Sequence, residues 1–161
     1  MSITFNADEI FEMAEEVERN GAKFYRKAAS NASDKEIKQK LLDMASMEDE
    51  HLFTFKRLRE KLGHDISEQV FDPDNQAAMY LKAMAGSRGC EGLVNPSQEL
   101  TGSESIKEIL EIALNAEKES VVFYFGLKSM VPSEAGREKV EEIIIEELSH
   151  VTYLLNMLKN L

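Results

Sequence analysis

The sequence predicts an all-α protein, an antiparallel four-helix bundle made of two helical hairpins joined by one long crossover. Three observations point there. Four stretches of about 25 to 30 residues carry apolar side chains at helical spacing. Two of the three links between them are only a few residues long, which makes antiparallel hairpins, while the third runs to about 40 residues. The second hairpin also repeats the first at an offset of 99 residues, so that Glu18 recurs as Glu117 and Tyr25 as Tyr124.

The first helix is expected over about 6–30, on Ile10, Met13, Ala14, Val17, Gly21, Phe24, Tyr25 and Ala28. Asn6 followed three residues later by Glu9 reads as a capping box at its start. The second is expected over about 33–62, with Ser33 and Glu36 as its capping box and Leu41, Met44, Ala45, Leu52, Phe55 and Leu58 as its apolar stripe. The third runs over about 103–130 on Ile106, Ile109, Leu110, Ala113, Val121, Tyr124 and Leu127. Val131-Pro132-Ser133 breaks it, and Ser133 is placed to cap the fourth helix. That helix runs over about 133–160 on Val140, Ile143, Ile144, Val151, Leu154, Leu155 and Leu158. Each helix would be about 40 Å long at 1.5 Å per residue. The crossover, 63–102, is marked as loop by its Gly, Pro, Asn and Ser, and Gln76 to Met84 reads as one short helix within it.

The 161 residues fit one domain with a substantial core. A net charge of −11 speaks against nucleic acid or an anionic membrane surface as partner, since both need a basic face. No apolar run reaches membrane-spanning length, and the N-terminal residues lack the basic and apolar regions of a secretory signal. The single cysteine, Cys90, allows no internal disulfide and no CxxC metal knuckle. A bland thiol is its default reading, and a reducing cytoplasm is the compartment expected. His64, beside Gly63 at a helix end, reads as a surface or capping residue.

The chemistry lies in the repeat. Glu9, Ile10, Glu12, Ala14, Glu18, Phe24 and Tyr25 recur as Glu108, Ile109, Glu111, Ala113, Glu117, Phe123 and Tyr124. Lys40, Glu48 and His51 recur as Lys139, Glu147 and His150. Any two amphipathic hairpins share apolar positions, but nothing in amphipathicity requires charged residues to recur on the core face. Glu18 lies four residues after Ala14 and three before Gly21, inside the apolar stripe, and Glu117 holds the same place in the third helix. Glu48 and His51 interrupt the stripe of the second helix, as Glu147 and His150 interrupt that of the fourth. An isolated buried carboxylate is costly. Four of them with two imidazoles call for positive charge, which two divalent metal ions would supply.

Glu and His at i and i+3 project to one side of a helix and can bind one metal together. A Glu from each of two helices, with Glu-x-x-His from each of the other two, is the ligand set of ferritin-like di-iron and di-manganese proteins. Here it reads Glu18, Glu48-x-x-His51, Glu117 and Glu147-x-x-His150, with 30 residues from single Glu to motif in both halves. Glu50 and Glu146 compete by adjacency, but their repeat partners are Ser149 and Met47, so the repeat decides against both.

With these residues, and with Glu18-Arg-Asn-Gly-Ala-Lys-Phe-Tyr25 repeated as Glu117 to Tyr124, the chain resembles the rubrerythrin-like branch of the ferritin-like superfamily. The resemblance covers the four helices and not the crossover. It implies two iron ions, with manganese or a mixed pair also suited to the ligands. Glu18, Glu48, His51, Glu117, Glu147 and His150 would be metal ligands, Glu48 and Glu147 bridging. Tyr25 and Tyr124 would be hydrogen-bonded toward the ligand carboxylates, although aromatics at helical spacing are more often plain core. The implied activity is reduction of hydrogen peroxide or dioxygen. An iron-storage or ferroxidase protein and a non-catalytic metal-sensing bundle are the alternatives. The chain departs from the pattern twice: one cysteine cannot form a rubredoxin domain, and Ser120 stands where rubrerythrins carry a further Glu. Electrons would therefore come from a separate donor protein. The resemblance also favours a homodimer.

Overall fold

The computed structural model describes residues 7–62, 100–131 and 133–161, and these form four helices. They are α1 (Ala7–Asn31), α2 (Lys35–Leu62), α3 (Ile106–Met130) and α4 (Glu134–Lys159). Among the described residues no helix is long and apolar enough to cross a membrane. The expected boundaries hold to within three residues, and the differences lie in the caps. Asp34, not Ser33, caps α2: its carboxylate accepts from the backbone N–H groups of Glu36 and Ile37, both at 2.9 Å. A carboxylate one residue closer to the helix reaches two of its orphan donors, so the Ser33–Glu36 box does not form. Ser105 caps α3, through a capping box with Glu108. Ser133 caps α4 as expected, accepting from Gly136 N–H. Asn6, His64, Cys90 and the expected helix Gln76–Met84 lie outside the described residues.

α1 packs along α2 and α3 along α4, and the two hairpins meet through α1 against α3 and α2 against α4. Cross-hairpin contacts fix the directions. Tyr25 reaches Glu117 while Tyr124 reaches Glu18, so α1 and α3 run antiparallel. His51 meets Glu146 and Glu147 while Glu48 meets His150, so α2 and α4 do too. Such an arrangement has an approximate two-fold axis across the bundle, as the 99-residue repeat implies. It also puts the end of α2 and the start of α3 at opposite ends, about 40 Å apart. A link of roughly 40 residues spans that distance easily.

The core comes in two apolar clusters. One gathers Ile10, Phe11, Ala14, Phe55, Phe123, Tyr124, Leu127 and Val140. The other gathers Phe24, Tyr25, Ala28, Leu41, Ile109, Leu110, Ala113 and Leu154. The repeat exchanges them: Ile10 with Ile109, Ala14 with Ala113, Leu41 with Val140, Phe55 with Leu154. Between them lies a layer of buried polar groups. Leu100, at the end of the crossover, is buried against the second cluster, and Gly102 just after it takes φ 87°, a conformation that suits glycine.

Three details depart from the expected pattern. Leu155, placed in the stripe of α4, is exposed. Glu15 is buried although it belongs to no repeated motif, and Arg59 of α2 compensates it at 3.5 Å while also binding Asp8 at 2.6 Å. The outer faces of the two hairpins also differ. Arg26 and Asp49 form an ion pair across α1 and α2, whereas their repeat partners are the exposed Phe125 and Leu148. Exposed Val122 and Ile145 likewise stand opposite Lys23 and Ser46 in the repeat.

The capping assignment is testable. Asp34→Ala should cost the metal-free protein about 1 kcal/mol, or roughly 2–4 °C in Tm. Ser33→Ala should cost no more than a few tenths of a kcal/mol, as at an uncapped surface position. Thermal unfolding by circular dichroism reads both.

Candidate metal centre

All six sequence-predicted ligands converge in the polar layer. α1 contributes Glu18, α2 Glu48 and His51, α3 Glu117, α4 Glu147 and His150, and every one is at most 4% exposed. Because each helix presents its charged position in register with the break between the apolar clusters, the four helices deliver these side chains to one level. Ligand atoms of Glu18, Glu48, His51 and Glu147 lie within 4.8 Å of one another, as do those of Glu48, Glu117, Glu147 and His150. Glu48 and Glu147 belong to both groups, the position that a pair of bridging carboxylates requires. The two imidazoles stack with centroids 5.7 Å apart.

The donor atoms in the middle are not satisfied by one another. His51 Nδ1 lies 2.9 Å from Glu147 Oε1 and 3.5 Å from Glu18 Oε2, but without hydrogen-bonding geometry. His150 Nδ1 lies 3.4 Å from both Glu48 Oε1 and Glu117 Oε2. Glu18 Oε2, Glu48 Oε1, both oxygens of Glu147, and both ring nitrogens of His150 lack a partner. Buried polar atoms are almost always paired, so this concentration of orphans needs a further group. A set of carboxylate oxygens and imidazole nitrogens suits divalent iron or manganese.

The outer sides of the ligands are held. Tyr25 donates to Glu117 Oε1, and Tyr124 donates to Glu18 Oε1, each crossing from one of the paired helices α1 and α3 to the other. The rings are also core: Phe24 and Phe123 pack edge-on against their tyrosine neighbours, and Phe55 lies 5.1 Å from Tyr124. Burial pushes both phenols well above the usual tyrosine range, and the nearby carboxylates add to it, so both remain donors. Outside His51, Glu146 Oε2 lies 2.7 Å from Nε2, so the carboxylate orients the imidazole. Sequence reasoning set Glu146 aside as a ligand, and it is not one of the converging six; its role as the brace of His51 was missed. The repeat could not find it, because its partner across the repeat is Met47. Glu50, the other competitor, is exposed.

The electrostatics are those of crowded like charges. Burial, then Glu48, pushes Glu18 well above the usual carboxylate range. Burial, then Glu147, pushes Glu117 up to about 8. Burial would lower His51, but the Glu147 and Glu18 carboxylates outweigh it and raise it to about 12. His150 is raised for the same reason by Glu117, Glu147 and Glu48. For Glu147 burial and Glu48 push upward, yet the neighbouring Glu117, His150 and His51 prevail and lower it. Without metal, Glu18, Glu117 and both imidazoles favour their protonated forms.

Comparison with known proteins places the chain in a family. The family model described as Rubrerythrin matches residues 9–158. The chain belongs to the rubrerythrin family. Among solved structures, a protein from Thermotoga maritima described as a ferritin-like diiron-carboxylate protein is similar in fold, with a TM-score of 0.69. The match covers 97% of this chain and 96% of that one at 23% identity. No curated protein matches the sequence significantly.

Two predictions follow from the charges and the tyrosines. Glu18, Glu117 and the histidines all bind protons more tightly in the folded, metal-free protein than in the unfolded chain. The contribution of Glu117 is complete below about 4.5 and is lost as pH rises toward about 8, while that of His51 is complete below about 6.5 and is lost only toward about 12. Metal must displace those protons, so its affinity rises over the same window. The Tm gain on adding Mn(II) should be larger at pH 8 than at pH 5.5, with proton release in a weakly buffered titration. For the tyrosines, Tyr25→Phe should weaken metal binding by about tenfold to a hundredfold by removing the donor to Glu117. Isothermal titration of the variant against the wild type measures the loss.

Proposed function

We propose that this member of the rubrerythrin family is a cytoplasmic di-iron oxidoreductase that reduces hydrogen peroxide or dioxygen, with electrons from a separate donor protein. The observation that carries the reading is the layer of orphaned donor atoms: six buried ligand side chains in two overlapping groups, with Glu48 and Glu147 common to both. Glu18, Glu48, His51 and Glu147 would hold one metal, and Glu48, Glu117, Glu147 and His150 the other. The metal pair, iron by preference and manganese or a mixed pair otherwise, supplies the two electrons that convert one peroxide and two protons into two waters.

The protein's own part is to hold charge and exclude water. The flanking apolar clusters bury the layer from both ends, which strengthens the electrostatic interactions within it. Tyr25 and Tyr124 fix Oε1 of Glu117 and of Glu18, and each keeps a proton at Oη beside the centre. Glu146 holds the His51 ring in place. A second copy as partner belongs to the same proposal, and the uncharged strip of Val122, Phe125, Ile145 and Leu148 supports it.

Metal-loaded protein supplied with an electron donor should consume hydrogen peroxide catalytically, and purified protein should carry two metal ions per chain. Glu48→Ala and Glu147→Ala should each remove metal and turnover together. Unchanged metal content in both variants would sink the site assignment. Native mass separates this reading from storage: a dimer fits the enzyme, a large closed shell fits storage.

A further inference from the structure

The two halves of the centre are related by the repeat but are not equal. Between α1 and α3 a cavity of about 10 Å3 opens against the layer, the room of about one water-sized molecule. Val17, Gly21, Tyr25, Glu48, Glu117 and Ser120 line it. Of the six ligands it touches Glu48, which is common to both groups, and Glu117, which belongs to the group with His150.

Gly21 and Ser120 are repeat partners, and their difference shapes this space. A β-carbon at Gly21 would lie 2.8 Å from Glu48 Oε2, closer than van der Waals contact allows. The missing side chain is therefore what lets the Glu48 carboxylate lie against α1. Ser120, buried on the other wall, donates its hydroxyl proton to Ala116 O at 3.2 Å, so that proton is turned into its own helix and away from the cavity. The polar groups left facing the space are the Glu48 and Glu117 carboxylates and the Tyr25 phenol. Gly21 itself is only partly buried, so the space lies close to the surface.

A second asymmetry falls on the same half. Glu146 braces His51 from outside, but the position related to it by the repeat is Met47, and His150 Nε2 has no partner. The braced His51 and Glu146 line a wider cleft of about 250 Å3 that reaches none of the four ligand carboxylates, whereas the small cavity beside the unbraced half meets Glu48 and Glu117 directly.

We propose that the small reactant seats in this cavity, beside the Glu48, Glu117, Glu147 and His150 group, with Gly21 and Ser120 setting its size limit. The seat admits a molecule of one or two heavy atoms, such as hydrogen peroxide, dioxygen or nitric oxide, and rejects alkyl hydroperoxides. The identity of the reactant rests on the function proposed above; the location and the size limit rest on the cavity.

Nitric oxide is a suitable probe, since it is diatomic and its binding to ferrous protein is read optically without turnover. Ser120→Val, which adds bulk to one wall, should retain two metal ions per chain and bind nitric oxide about tenfold or more weakly, the scale of overpacking. Ser120→Gly widens the same wall and should raise the rate with tert-butyl hydroperoxide relative to hydrogen peroxide. Should Ser120→Val lose its metal, the peroxide ratio of Ser120→Gly decides. Nitric oxide affinity and peroxide ratio unchanged in both variants would overturn the seat, whatever the wild-type turnover. If nitric oxide binding responds to Ser120 while the wild type consumes neither peroxide nor dioxygen, the seat stands and the enzymatic reading fails.

Discussion

Four carboxylates buried at one level of a helical core are the constraint around which this molecule is organised. Removing an ion from water costs several kcal/mol even after relaxation, and like charges at close range add to that cost. Protons do part of the compensation in the metal-free protein, as the upward shifts of Glu18, Glu117 and the two histidines show. Seven buried atoms nevertheless remain without partners. Everything nearby serves to hold these groups in place: the crossed tyrosines, the stacked imidazoles, and an apolar cluster on either side of the layer.

The internal two-fold explains how such a layer can be specified economically. A helical hairpin with one Glu on its first helix and Glu-x-x-His on its second supplies half of a centre. Placing a second copy antiparallel to it completes the ligands and puts Tyr25 beside Glu117 and Tyr124 beside Glu18. Antiparallel pairing of the hairpins in turn dictates the long crossover, because α2 and α3 then end and begin at opposite ends of the bundle. Connectivity and metal chemistry are consequences of one symmetry.

Departures from that symmetry carry the individuality of the chain. Glu146 against Met47 leaves one histidine braced and the other not. Gly21 against Ser120 goes with a cavity whose polar walls are Glu48, Glu117 and Tyr25. Phe125 and Leu148 against the Arg26–Asp49 ion pair leave the outer face of the second hairpin uncharged where that of the first is charged. None of these positions is itself one of the six ligands, although Glu146 braces His51 and Gly21 lies against Glu48.

The sequence by itself determined the four helices, their pairing into hairpins and all six converging side chains. These depend on period and repetition, which are local properties of the chain. Helical spacing exposed Glu18 and Glu117 as charges inside an apolar stripe, and the 99-residue repeat separated Glu48 and Glu147 from their acidic neighbours. Only the tertiary structure decided what surrounds them. The reach of Glu146 to His51, the approach of Glu48 to Gly21 and the pairing of Glu15 with Arg59 all join residues on different helices. The register between helices is set by packing across the whole core, and no local pattern records it. The cap of α2 passed from Ser33 to Asp34 for a related reason: two adjacent residues both carry capping chemistry, and backbone geometry chooses between them.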